Sequence, residues 1–504
     1  MNLTARIDLL PLGHQLQVPV GTRLQDILFG QGVEFPCGGR GKCRGCRVKV
    51  LAGELPITPE DTERLDPTAL SAGWRLACRA EVRGDLRLEL AQWDASILPD
   101  DRSFAFQPRP GLGIAIDLGT TTLVAQILDR QTGEVLGVRT GLNAQARHGA
   151  DIMSRIDTAL AGDGAEQLRR MIREQLGGMV AELLADSGRR DELGEVIIVG
   201  NTVMHHLFSG LPVAPLAAHP FEPEQPGERR FNGTDLGWTI PTQCAVRFLP
   251  CLGSFVGSDI LAGILATGLA DSSELVALVD LGTNGEMVVG NRDRLLCAST
   301  AAGPAFEGAR ISMGMRATTG AIAAVAREGN GVRCQVLGDA EPRGLCGSGL
   351  VDAVAAALDL GWVLPSGRLA QRTEIPLAGP VRLTGGDIRE LQLAKGAIAA
   401  GLDLLARQWG ARIGDLHRIH LAGAFGNYIN RQSSKRIGLL PFGPDRVEPA
   451  GNTALLGAKL ALFGAEAGDP GFRSLLARVR HVPLNDDPLF HEVYVNEMVF
   501  PGLT

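Results

Sequence analysis

The chain has 504 residues, 45% of them hydrophobic, which is enough for roughly two to four globular domains. Its net charge of −7 and the absence of a long basic run speak against a general nucleic-acid surface. No apolar run reaches the roughly 18 residues needed to span a bilayer, and the opening MNLTARIDLLPLG lacks the basic start and long apolar centre of a secretory signal, so the expected location is cytoplasmic.

The first stretch reads as a small mixed domain. Two strand-like runs, LTARIDLL and HQLQVPV, flank a turn at Pro11 to Gly13, and Thr22 is placed to cap a short helix bearing Leu24, Ile27 and Leu28. A glycine-rich loop follows, then the strand RVKVLAG, a helix capped by Thr58 with Pro59 at its first position, and the strands WRLACRAEV and LRLEL. This order suits a β-grasp fold. From Trp93 to Pro110 the composition turns to Asp, Ser and Pro, as a linker would.

Of nine cysteines, four fall early: Cys37, Cys43, Cys46 and Cys78, with five, two and 31 residues between them. Thiolates gathered in the loop CGGRGKCRGC, with a fourth arriving from a distant strand, suit an iron–sulfur cluster, the glycines letting backbone amides approach the sulfides. Structural zinc is the competing reading, though zinc sites usually pair two short clips and only one is present. Arg40, Lys42, Arg44, Arg47 and Lys49 surround the loop, either to dock an acidic donor or as a solvated basic face.

From Gly111 onward apolar strands alternate with Ala- and Leu-rich helical stretches, the pattern of layered α/β domains. IAIDLGTTT, residues 114–122, runs an apolar strand carrying Asp117 into a turn of Gly119, Thr120, Thr121 and Thr122, which can cradle phosphate, with Asp117 near enough to hold a hydrated metal ion. LVALVDLGTNGE, residues 275–286, repeats it with Asp280, Gly282, Thr283 and Asn284, so two similar halves are expected to face each other across a nucleotide. Between and after them come GEVIIVGN (194–201), a proline-rich surface loop from His219 to Pro226, CASTAAGPAFEG (297–308), GLCGSGLVDAV (344–354, with Gly347, Ser348 and Gly349 as candidate nucleotide contacts) and IHLAGAFGNYIN (419–430, with a turn at Gly423 and Gly426). His205 and His206 read as packing or capping residues. Glu286 and Glu307 could orient water, contact a partner or be solvated loop acids.

The cysteine loop resembles plant- and adrenodoxin-type 2Fe-2S ferredoxins, and the two Asp-Leu-Gly-Thr turns with LAGAFGN resemble the ATPase superfamily of acetate and sugar kinases, heat-shock chaperones and actin. Joined in this order, with VGNTVMHHL, GPAFEG and CGSGLVDA between, they resemble the ATP-dependent reductive activators of corrinoid proteins. The resemblance implies an α/β and α+β multidomain protein: a β-grasp ferredoxin-like domain at 1–92, a linker at 93–110, and a two-lobed actin- and sugar-kinase-like ATPase with duplicated ribonuclease H-like halves at 111–274 and 275–504. It implies a 2Fe-2S cluster on Cys37, Cys43, Cys46 and Cys78, ATP and Mg2+ at the acid turns with Asp117 and Asp280 catalytic, and Ser299 and Thr300 facing the corrinoid. Its partners would be the corrinoid protein of a methyltransferase system, regenerated from Co(II) to Co(I), and an external low-potential electron donor, with a homodimer as an assembly to test and neither nucleic acid nor membrane. The paired glycine of the superfamily's adenosine turn is Gly423-Ala424 here. A small-metabolite kinase with a fused redox sensor, and a nucleotide- and redox-responsive binding module, are the alternatives. Phosphorylated product would favour the kinase, and absence of partner-stimulated hydrolysis the binding module.

Overall fold

The computed structural model describes residues 4–502 apart from 11–12, 30, 32, 34, 36–38, 42–45, 91–105, 150, 283 and 465–469. Cys37, Cys43, Thr283 and most of the expected linker therefore lie outside the described residues.

β1 (Thr4–Leu10) alternates exposed and buried residues, so Ala5, Ile7 and Leu9 enter a core. It pairs antiparallel with β2 (His14–Pro19) and, after α1 (Leu24–Phe29), β3 (Arg47–Ala52), α2 (Pro59–Arg64), α3 (Pro67–Ser71) and β4 (Trp74–Leu76), parallel with β5 (Leu86–Leu90). The sheet order β2-β1-β5-β3-β4 is that of the expected β-grasp domain. Thr58 caps α2 in a reciprocal box with Asp61, whose buried carboxylate also accepts the Leu76 N–H at 2.7 Å and so ties the helix to β4. Two local expectations need correcting. Thr22 does not cap α1, because its hydroxyl donates back to the Pro19 carbonyl at 2.7 Å. WRLACRAEV is strand only to Leu76, after which Ala77–Arg79 tightens into a 3-10 turn.

β6 (Leu112–Leu118), β7 (Thr122–Asp129) and β8 (Val135–Leu142) form an antiparallel meander, and after α4 (Ile152–Ala159) and α5 (Gly164–Ser187) comes β9 (Leu193–Val199), parallel to β6. α6 (Thr202–Ser209), β10 (Arg229–Phe231), α7 (Gly233–Leu236) and β11 (Ala245–Phe248) complete a sheet of order β10-β11-β9-β6-β7-β8. After α8 (Ser258–Thr267) the chain repeats itself. β12 (Val276–Leu281), β13 (Gly285–Gly290) and β14 (Leu295–Thr300) make a second antiparallel meander.

The return strand comes only after β15 (Ala321–Glu328), β16 (Gly331–Val336), β17 (Gly344–Leu345), α9 (Gly347–Asp359), β18 (Glu374–Pro376), β19 (Arg382–Thr384) and α10 (Gly385–Trp409). Then β20 (Arg418–Ala422) lies parallel to β12, and after α11 (Gly423–Tyr428) and α12 (Arg431–Arg436), β21 (Val447–Gly451) lies parallel to β20. α13 (Thr453–Gly464) follows, and a last strand, β22 (Val479–His481), closes the order β21-β20-β12-β13-β14-β22. Both six-stranded sheets thus place their first strand between a hairpin partner and a parallel return strand, the duplication expected from the acid-turn repeat.

The described residues of Met1–Ser96, Ala146–Asp151 and Pro304–Leu391 form one compact unit, and those of Ile97–Gln145, Ile152–Gly303 and Gln392–Thr504 a second. Residues 304–391, part of the expected stretch 275–504, therefore group with the β-grasp sheet; Arg343 Nη2 meets Glu89 at 2.8 Å within that unit. In the second unit α8 and α13 pack between the duplicated sheets, their apolar residues sharing one core with Ala115, Val124, Leu278 and Val288. A Cβ on Gly457 would stand 2.1 Å from the Ala262 carbonyl oxygen, so this crossing is backbone against backbone.

Candidate functional site

In the first unit Cys46 and Cys78 are both buried at one end of the β3–β4 ladder, where Arg47 pairs with Leu76 and the Ala77 N–H donates to the Cys46 carbonyl at 3.0 Å. Between Phe35 and Cys46 two described residues, Gly39 and Gly41, need to be glycine. Gly39 and Gly41 have φ of 75° and 68°, and a Cβ at Gly39 would stand 2.1 Å from Gln25 Oε1. Cys46 and Cys78, on adjoining backbone segments, are two thiols of a donor set that fits an iron–sulfur cluster, the other two expected ligands, Cys37 and Cys43, lying outside the described residues.

The second unit brings the two acid turns together. Asp117 stands near the end of β6 and Asp280 near the end of β12, each the central strand of its half. Both turns are tight: the Gly119 N–H donates to the Thr122 carbonyl at 3.1 Å, and the Gly282 N–H to the Asn284 carbonyl at 3.1 Å. A Cβ at Gly119 would meet the Thr122 carbonyl oxygen at 2.5 Å, which accounts for glycine there. Gly423, with φ 84°, lies beside Asp280, its Cβ position only 2.7 Å from Asp280 Oδ1. Gly426 packs on Leu421, 3.0 Å from its Cγ in the same sense.

Burial strips water from these carboxylates and pushes their proton affinities up. Asp117 rises to about 6, moderated by a hydrogen bond from Asn452. Asp280 rises to about 7, through burial first and the charge of Asp117 second. Two further acids share the site. Asp259, in the first turn of α8, rises to about 7 through burial and the charges of Asp280 and Asp117, while Glu286 is raised well above the ordinary range by burial and then by Asp259 and Asp280. Glu286 is 9% exposed and bonded to the Asn284 side chain, so it is no solvated loop acid. It sits in register between Asp280 on β12 and Ser299 on β14; the equivalent neighbours of Asp117 are Val124 and, beyond it, Thr140. Among the described residues no three His, Cys, Asp or Glu side chains are gathered so as to hold a metal ion by themselves, so Mg2+ fits here only in its usual manner, on one or two carboxylates completed by phosphate and water oxygens.

Sequence reasoning missed Asp259 and Asn452. Asp259 is fixed by Gly257 and Ser258, which press on the turn after β9: a Cβ at Gly257 would lie 2.1 Å from the Gly200 carbonyl oxygen, and the Ser258 N–H donates to that oxygen at 2.9 Å. Asn452 donates Nδ2 to Asp117 Oδ2 at 3.0 Å and accepts the Leu455 N–H at 2.9 Å, capping α13. A signal for it was present. Gly-Asn-Thr occurs at 200–202 and again at 451–453, and Asn201 likewise caps α6 while donating Nδ2 to Thr120 Oγ1 at 2.8 Å.

The remaining candidates are less gathered. Gly347, Ser348 and Gly349 open α9 in the first unit, where Ser348 Oγ donates to the Ala323 carbonyl at 2.8 Å and Gly349 leaves room for the Ile322 carbonyl. Glu307 closes a 3-10 turn in that unit. Thr300 is buried and donates to the Gly285 carbonyl at 3.3 Å. His205 and His206 are buried packing residues: burial lowers His205 to about 3 and lowers His206 as well, His205 packs edge-on to Phe248, and His206 Nδ1 reaches the Thr202 carbonyl at 2.9 Å. Among the described residues no helix is long and apolar enough to cross a membrane.

Residues 7–83 match the 2Fe-2S iron–sulfur cluster binding domain, 112–272 the RACo middle region, and 274–504 the C-terminal ASKHA domain of RACo. The corrinoid activation enzyme RamQ of Eubacterium limosum is 36% identical over 426 residues, covering 78% of this chain and 71% of that protein. The Co(II) methylated amine-specific corrinoid protein reductase of Methanosarcina barkeri is 29% identical over 426 residues, covering 77% of each. A solved structure described as a reductive activator for corrinoid, iron–sulfur protein superposes with a TM-score of 0.69 at 26% identity, covering 99% of this chain and 98% of that one.

Proposed function

The chain belongs to the family of reductive activators of corrinoid proteins, and from that membership we propose that it uses ATP to return a corrinoid protein from Co(II) to Co(I), one electron at a time from a 2Fe-2S cluster. The observation that supports the ATP-dependent part is that the acids of the duplicated turns, Asp117 and Asp280, feel each other's charge, with Asn452 bonded to Asp117 at 3.0 Å and Gly423 set against Asp280. When bound, the cluster supplies a one-electron store, held by Cys37, Cys43, Cys46 and Cys78.

The chain's own residues then have distinct tasks. Asp117 and Asp280 hold Mg2+, while Gly119, Thr120, Thr121, Thr122, Gly282, Thr283 and Asn284 bind phosphates. Gly423 and Gly426 receive the adenosine side. Asp259, raised by burial and by the charges of Asp280 and Asp117, is a third carboxyl group beside them. ATP is needed on energetic grounds. Plant-type clusters sit near about −400 mV and the Co(II)/Co(I) couple is lower, and a gap of about 120 mV costs roughly 2.7 kcal/mol per electron. A nucleotide-driven, ~10⁴-fold change in affinity for the partner is worth about 5.5 kcal/mol, which is enough.

An external low-potential donor, a cytoplasmic location, a homodimer and the boundaries 1–92, 93–110, 111–274 and 275–504 complete this reading. The test mixes the purified protein, Mg2+–ATP, a mild reductant and a Co(II) corrinoid protein and follows the Co(I) absorbance. Co(I) should accumulate only with ATP; equal accumulation without it overturns the proposal.

A further inference from the structure

The carbonyls at the tip of the first acid turn are all engaged from one side. Asn143, fully buried, donates Nδ2 to the Gly119 carbonyl at 2.9 Å and its backbone N–H to the Thr121 carbonyl at 2.8 Å. Arg155 on α4, also 0% exposed, donates Nη2 to the Thr120 carbonyl between them. Its Nη1 reaches Gln145 Oε1 at 3.2 Å and Met204 Sδ at 3.4 Å, and Gln145 is itself fixed by donating Nε2 to the Leu168 carbonyl at 3.0 Å. Asn201 occupies an acceptor site on Thr120 Oγ1, which leaves that hydroxyl's proton to point elsewhere.

The bond from the Gly119 N–H to the Thr122 carbonyl closes the turn but does not by itself fix which way the Thr120 and Thr121 peptide groups face. With its carbonyls turned toward Asn143 and Arg155, and the Gly119 N–H spent on the Thr122 carbonyl, the Thr120 and Thr121 amides and the threonine hydroxyls become the groups it offers to an anion. A guanidinium fixed behind the turn adds positive potential in the same direction. We propose that Arg155 is a positioning residue for phosphate binding, acting through the Thr120 carbonyl while Asn143 acts beside it through Gly119 and Thr121. This rests on the reading of the turn as a nucleotide-phosphate site.

The test compares binding of Mg2+–AMPPNP with binding of adenosine by calorimetry in the full chain, with the visible absorbance of the cluster as a control. Arg155→Met should weaken AMPPNP by about tenfold or more while leaving adenosine within about twofold, since only phosphate contacts depend on the tip. Arg155→Lys, which keeps the charge but loses the planar fork, should fall between. Equal losses for AMPPNP and adenosine, or no loss for either, would overturn the proposal. If Arg155→Met does not fold, Asn143→Ala is judged by the same ratio. Asp280→Asn separates the two levels of argument. Full hydrolysis in that variant removes the nucleotide-site reading itself, whereas lost hydrolysis there with intact AMPPNP affinity in Arg155→Met removes only the role of Arg155.

Discussion

Asn452 Nδ2 donates to Asp117 Oδ2 at 3.0 Å, a bond between residues 335 positions apart that joins the start of α13 to the acid of the opposite half. The same side chain caps the helix, so Asn452→Ala should cost about 1 kcal/mol of stability and also raise the proton affinity of Asp117. The expected result is ATP hydrolysis lowered by about tenfold at neutral pH, with the acid limb of the rate profile displaced upward. Steady-state hydrolysis across pH, read beside a thermal melt, checks this. An unchanged profile with only a lower melting temperature would reduce Asn452 to a cap.

The acid cluster also predicts how stability depends on pH. Asp117 rises from 3.8 to about 6, and Asp259 and Asp280 to about 7, so between those limits the folded chain holds protons that the unfolded chain has released. Their contribution is complete below the unfolded value and is lost as pH rises through 6 to 7. Metal- and nucleotide-free protein should therefore melt at a lower temperature at about pH 8 than at about pH 5.5, with a smaller difference in Asp280→Asn. Mg2+ should recover more of the melting temperature at the higher pH, and scanning calorimetry with and without Mg2+ decides it.

The acid turns, the β-grasp order and the duplication were legible because each is written locally: an apolar strand, one acid, then small residues. Asp259 was not. It lies in a helix rich in Ile, Leu and Ala whose sequence reads as core, and it reaches the site only because Gly257 lets that helix start against Gly200. Asn452 left a visible trace in the second Gly-Asn-Thr, but a helix cap explains such a triplet completely until the distant Asp117 is seen. The grouping of residues 304–391 with the β-grasp sheet depends on contacts such as Arg343 with Glu89, which no local pattern encodes.

At the cluster, Cys46→Ser should abolish or weaken assembly without unfolding the ATPase halves, because Cys46 stands outside the core of the second unit. Iron content and visible absorbance should fall while ATP hydrolysis persists. Unchanged iron would remove Cys46 from the ligand set.

The helix crossing supplies a prediction about packing. Gly457→Ala would set a methyl group 2.1 Å from the Ala262 carbonyl oxygen and force α13 away from α8. A loss of about 1–3 kcal/mol is expected, seen as a melting temperature lower by several degrees with the cluster spectrum unchanged. A melt like that of the parent protein would show that the crossing relaxes freely.

The register of the two halves carries one last consequence. Where Glu286 stands across from Asp280, the matching place beside Asp117 is Val124. A doubled frame with unlike fillings is a division of labour: one half sets its strand acid beside the aliphatic Val124, while the other places two carboxyl groups, Asp280 and Glu286, on neighbouring strands. The two turns are thus not interchangeable copies. Transplanting Glu286 to position 124 would not create a second working centre but would put another like charge beside Asp117, making the pseudo-symmetry of the backbone a poor guide to where the chemistry can be moved.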